Sequence, residues 1–178
     1  MTPYTAGVRK SILLCGSHSL DPHADANPGT DKSEAWANDT IVKVVRSLPT
    51  GSVVMLPRSE RGPSRWARDA VLREEVSLVE FAVGGERYQN GALSGRWEPR
   101  WCSDYANVTF DKRPLARNMA MILALNSAAK PEWKTEVHAL IAPWAPGALT
   151  TCIIRHAKKA NVRVVTHDCL TRLSRDAA

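Results

Sequence analysis

The chain has 178 residues, of which 44% are hydrophobic and 24% charged, and its formal net charge is +6. That length suits one domain with a substantial buried core, and no apolar stretch approaches the length of a membrane span. Met1 to Arg9 lacks the apolar h-region of a signal peptide. The cysteines (Cys15, Cys102, Cys152, Cys169) have no metal-ligand spacing, so reduced thiols in a cytoplasmic protein are expected, with no metal.

Five apolar runs read as buried strands: Ser11–Cys15, Ser52–Leu56, Leu78–Val83, Val137–Ala142 and Val162–Thr166. They are continuous rather than alternating, as in a parallel sheet covered on both faces. Helical patterns lie between them. Ile41, Val44, Val45 and Leu48 follow the i, i+3, i+4, i+7 rule, with Asp31 and Glu34 as the expected capping pair and Pro49-Thr50-Gly51 as the stop. Ser64 is the expected N-cap of a second helix running to about Glu75, with Ala67, Ala70 and Val71 inward. Ala116, Met119, Ala120 and Leu123 mark a third helix. Thr150 or Thr151 caps a fourth, with Ile153, Ile154 and Ala157 inward and Asn161 as its C-terminal stop.

Strand–helix alternation through the chain predicts a three-layer, doubly wound α/β domain spanning 1–178, with a mainly parallel five-stranded sheet in the order 3-2-1-4-5. In that order the first and fourth strands are neighbours at the topological switch point, and the turns after them, Gly16–Leu20 and Pro143–Thr150, line one cleft. The segment Gly84–Arg113 breaks the alternation. It carries Tyr88, Trp97, Trp101, Tyr105 and Phe110 among Gly, Pro and Arg residues, and reads as a long loop serving either as a hydrophobic cluster or as a ligand-stacking lid.

The first strand stops at Gly16-Ser17-His18, and the fourth leads through Gly147 to Thr150-Thr151 at a helix start. Strand-to-loop turns of this kind present backbone N–H groups to an anion. Arg58, Arg61, Arg65 and Arg117 fall near predicted loop ends, which suits phosphate. With no dense basic run, a small phosphorylated ligand is favoured over a polymer, while a nucleic-acid partner stays open. Arg117 offers a bidentate contact. Asn118 can donate and accept toward a base or ribose hydroxyl, or act as a helix cap. Gly62 gives the second loop its glycine, and Trp144 suits either base stacking or core packing. His18 and Glu60 are the catalytic candidates. Apolar residues on the crossover helices allow a homo-oligomer without specifying one.

Four segments taken in order resemble the SLOG superfamily, and within it the small YspA-type proteins. They are Leu14-Cys15-Gly16-Ser17-His18; Leu56-Pro57-Arg58-Ser59-Glu60-Arg61-Gly62-Pro63-Ser64-Arg65-Trp66-Ala67; Arg113-Pro114-Leu115-Ala116-Arg117-Asn118-Met119; and Trp144-Ala145-Pro146-Gly147-Ala148-Leu149-Thr150 with the helix and strand that follow. The resemblance implies a Rossmann-like domain that binds a nucleotide or nucleotide-derived ligand, with no further cofactor. Some relatives cleave N-glycosidic bonds of nucleoside monophosphates, others bind single-stranded DNA, and others sense ligands. Here His18 replaces the usual Arg, Ser64 the usual Asp, Leu149 the Gly before the Thr, and Ile153 the Glu of the glycosidase relatives. The phosphate-binding elements are thus retained better than the catalytic carboxylate.

Overall fold

A computed structural model of the chain describes residues 8–97, 113–129 and 133–170. In chain order these form β1 (Arg9–Gly16), a 3₁₀ turn (His18–Leu20), α1 (Asp31–Arg46), β2 (Val53–Pro57), α2 (Gly62–Arg73), β3 (Ser77–Phe81), β4 (Glu86–Gln89), β5 (Ala92–Arg96), α3 (Arg113–Ser127), β6 (Trp133–Ile141), α4 (Ala148–Lys159) and β7 (Arg163–Asp168). The strands make a mixed, mostly parallel seven-stranded sheet in the order β5-β4-β3-β2-β1-β6-β7. The expected five-stranded sheet is therefore corrected in both count and full order.

The two extra strands come from the segment expected to be a loop. β4 and β5 are an antiparallel hairpin on the outer side of β3, and they turn through Asn90 (φ 48°) and Gly91 (φ 85°). A two-residue Asn-Gly connection is a strong hairpin determinant, because both residues tolerate positive φ. The alternation that normally reveals a strand is missing, since every residue of β5 is exposed. Trp97 then folds back, buried, and its Nε1 donates to Ala82 O at 2.8 Å. Trp101, Tyr105 and Phe110 lie outside the described residues.

The apolar strands sort their side chains onto two faces, as period-2 geometry requires. Ile12, Leu14, Val54, Leu56, Leu78 and Leu140 pack with Ala37, Ile41, Val44 and Val45 of α1 and Ala67, Ala70 and Val71 of α2. Leu13, Cys15, Met55, Val137 and Ala139 pack on the other face with Met121, Ile122 and Leu125 of α3 and Ile153 and Ala157 of α4. The third expected helix is α3, and Ala116 and Ala120 are packed against this core. The helix's buried residues are Arg117, Asn118, Met121, Ile122 and Leu125, while Leu123 is exposed. That helix carries Ala, Leu, Met or Ile nearly all round, so its period alone does not choose a face.

Three helix starts also differ from expectation. At α1 the reciprocal cap is Thr30 with Ser33: Thr30 Oγ1 accepts from Ser33 N at 3.2 Å, and Ser33 Oγ accepts from Thr30 N at 2.7 Å. Asp31 and Glu34 occupy the first turn, where their charge favours the positive helix end. α2 begins at Gly62, with Pro63 in its first turn and Arg61 rather than Ser64 as N-cap. α4 begins at Ala148 after Gly147, so Thr150 and Thr151 lie inside the helix.

Candidate functional site

β1 and β6 are parallel neighbours along their length, in register from Arg9↔Trp133 to Gly16↔Leu140. Connections leave β1 toward β2 on one side and reach β6 on the other, so a crevice opens beyond the carboxyl ends of these strands. The crevice is an open cleft of about 530 Å³. Its floor is Cys15 and Gly16 of β1 and Pro57 of β2. Its walls are Arg58, Ser59 and Arg61 of the β2–α2 connection, Pro63 and Ser64 of α2, Pro114, Arg117 and Asn118 of α3, and Gly147 to Thr150 with Ile153 of α4. His18 and Val83 complete it.

Of the residues expected to bind ligand, Gly16, His18, Arg58, Arg117, Asn118, Gly147 and Thr150 line this cleft, and Ser17, Gly62, Trp144 and Thr151 do not. Ser17 is fully buried and ties the two switch-point turns together. Its Oγ donates to Pro146 O at 2.6 Å and accepts from Ala142 N at 3.1 Å, and its own N donates to Leu140 O at 2.9 Å. Trp144 instead packs beside the core on the α1 side, with Nε1 donating to Asn27 O at 3.3 Å. Thr151 is exposed and turns its hydroxyl back to Gly147 O at 2.9 Å. Gly62 sits behind His18: a Cβ there would lie 3.2 Å from His18 Nδ1.

Asn118 is fully buried and acts as a bracket between helices. Its Nδ2 donates to Leu149 O at 3.2 Å, and its Oδ1 accepts from Arg117 Nη2 at 3.5 Å. Arg117 is only 7% exposed, and Nη1 donates to Arg58 O at 3.4 Å. An arginine buried at the start of α3 is thus aimed across the cleft at the β2 loop. Helix α4 adds its amino end. Its first ladder bond runs from Thr151 N to Gly147 O at 3.1 Å, which leaves the N–H groups of Ala148, Leu149 and Thr150 outside the ladder and on the cleft wall.

Arg61, one of the arginines expected near loop ends, lines the cleft, and Ser59 and Ser64 line it beside Arg61. Three arginines and one histidine therefore line the cleft, and among the described residues no Asp or Glu does. Glu60 is 79% exposed outside the lining, 3.8 Å from Arg68. Asp21 turns inward on its own loop, accepting from His23 N at 2.9 Å. Burial pushes the Cys15 thiol up to about 12, so it is a neutral wall atom and no nucleophile. Arg65 is exposed and does not line the cleft.

A second polar cluster lies away from the cleft, across β1, β6 and β7. Buried Glu136 takes Lys10 Nζ and Arg163 Nη1, each at 3.1 Å, and faces His138 Nε2 at 3.3 Å. His138 Nδ1 is 3.1 Å from His167 Nε2. Burial, first of all, lowers both histidines; for His138 the Glu136 hydrogen bond opposes this. Burial raises Glu136, but Lys10 and His138 together outweigh it and hold the carboxyl below its ordinary range. Among the described residues no three His, Cys, Asp or Glu side chains gather as a metal site, and no helix is long and apolar enough to cross a membrane.

No protein-family model matches the chain, and neither a curated protein nor a solved structure matches it.

Proposed function

We propose that this chain binds a small phosphorylated ligand of the nucleotide type in the cleft between the turns that follow β1 and β6. The observation that carries the reading is the charge of the lining: Arg58, Arg61, Arg117 and His18 with no carboxylate among the described residues. A phosphate meets guanidinium forks there, and it also meets the amino end of α4 with its N–H groups and helix dipole. Val83, Pro114, Leu149 and Ile153 supply apolar wall for the rest of the ligand, and the volume falls in the range of small-molecule pockets.

The resemblance of four segments to SLOG proteins supports the same reading. Binding is preferred over N-glycosidic chemistry because such chemistry needs a carboxylate at the reacting centre, and Ile153 stands where those relatives carry Glu. The free, buried Cys15 and Cys152 support a reducing, cytoplasmic setting.

Isothermal titration of the protein with nucleoside mono-, di- and triphosphates tests the reading. Saturable binding that Arg117→Ala weakens is expected. Absence of heat with every nucleotide, in wild type and variant alike, would overturn it.

A further inference from the structure

We infer that Tyr88 is a positioning residue for Arg58, so that the β4–β5 hairpin, itself outside the cleft, sets how strongly the cleft holds an anion. The inference rests on the proposed binding of a phosphorylated ligand.

The backbone of Arg58 is fastened from three directions. Its N donates to Phe81 O at 2.9 Å, its O accepts from Arg117 Nη1 at 3.4 Å, and the next residue's carbonyl, Ser59 O, accepts from Arg68 Nη2 at 2.9 Å. The side chain is held differently. Its guanidinium carbon sits 3.8 Å from the centroid of the Tyr88 ring, and Nη1 lies 3.6 Å from Glu80 Oε2 without forming a hydrogen bond. Glu80, 1% exposed, gives its good hydrogen bond to Arg68 Nε at 2.7 Å instead.

A ring face orients a guanidinium plane without consuming any of its N–H donors. Glu80 adds attraction but no directional bond at this distance. Arg58 is thereby kept in one plane at the cleft wall, with Nη1 turned inward toward Glu80 and the rest of the guanidinium edge left to face the cleft. Without the ring, an arginine has several rotamers to lose before it can bind. Tyr88 is half-buried on an exposed hairpin, so replacing it leaves both main cores alone. Glu80 is the poorer probe, because its loss strands Arg68 as well.

The test compares wild type, Tyr88→Leu and Tyr88→Phe with two measurements. The first, on ligand-free protein, is the rate at which phenylglyoxal modifies Arg58, followed by mass spectrometry of the Arg58 peptide. The second is calorimetric affinity for AMP and for inorganic pyrophosphate. Tyr88→Leu is expected to raise the Arg58 modification rate and to weaken both probes about threefold to tenfold. Tyr88→Phe keeps the ring and is expected to match wild type in both. An Arg58 modification rate in Tyr88→Leu equal to that of wild type overturns the inference, as does undiminished probe affinity. If wild type binds neither probe while the modification rate still follows the ring, the positioning stands and the ligand reading falls.

Discussion

Ser17 Oγ donates to Pro146 O at 2.6 Å, a bond across 129 positions of sequence that joins the turn after β1 to the turn after β6. The same oxygen accepts from Ala142 N at 3.1 Å. One small side chain thus fixes the spacing of both lips of the cleft. Its value is structural, because a fully buried hydroxyl whose one O–H is given to Pro146 has no donor left for an anion.

Ser17→Ala removes both bonds and leaves Ala142 N and Pro146 O without this partner. A loss of about 1–3 kcal/mol is expected from the general cost of stranded buried polar groups. Urea unfolding followed by circular dichroism measures it, and an unchanged midpoint would show that the two turns are held by other contacts.

Gly16 and Gly147 both line the cleft, yet they answer to different constraints. A Cβ on Gly16 would sit 2.6 Å from Pro63 Cβ, whereas one on Gly147 meets nothing within 4 Å. Gly147 instead needs its φ of 78°. Gly16→Ala therefore overpacks the β1–α2 contact, at about 1–3 kcal/mol. Gly147→Ala strains backbone alone, at about 1–3 kcal/mol. Thermal unfolding of both variants, with a Pro63→Gly companion that removes the opposing Cβ, separates the mechanisms: the Gly16→Ala loss is expected to shrink in the Pro63→Gly background and the Gly147→Ala loss to stay the same.

Arg117→Ala takes away a cation at the start of α3 and its bond to Arg58 O. Charged hydrogen bonds contribute about 1.5–3 kcal/mol, so nucleotide affinity is expected to fall by about tenfold to a hundredfold. Arg117→Lys keeps the charge but not the fork, and is expected to fall between the two. Calorimetry at one fixed salt concentration decides it; equal affinities for all three proteins would remove Arg117 from the site.

The β1–β6–β7 cluster predicts how stability responds to acid. His138 and His167 both lie below their ordinary value of 6.5. Just under that pH the unfolded chain therefore binds more protons than the native one, and stability that is full above 6.5 declines as pH drops. Glu136, held below its ordinary 4.5, adds a loss of the same sign as pH falls below that value. The melting temperature is expected to fall from pH 7.5 to pH 5, with a shallower fall in a His138→Gln, His167→Gln double variant. An equal slope in both proteins would show that other groups govern it.

Several elements were legible before any fold was known. Five continuous apolar runs and the inner faces of α1, α2 and α4 follow from side-chain period, which is local. The Gly16-Ser17 stop after β1 and the arginines near loop ends were also visible in the chain. The same evidence failed where neighbours decide. β5 has no buried face, so alternation could not mark it. α3 is apolar nearly all round, so its buried stripe was set by the sheet beneath it.

Site membership divided along the same line. A sequence can propose Ser17, Trp144 and Thr151 as ligand contacts because their chemistry suits a phosphate or a base. Only tertiary contacts assign their polar groups to Pro146, Asn27 and Gly147. Arg58 gained Tyr88 as a partner because the hairpin added itself beside β3, and Glu80 because β3 pairs with β2. Residue chemistry and periodicity are properties of short stretches. Which donor reaches which acceptor depends on segments far apart in the chain being packed side by side.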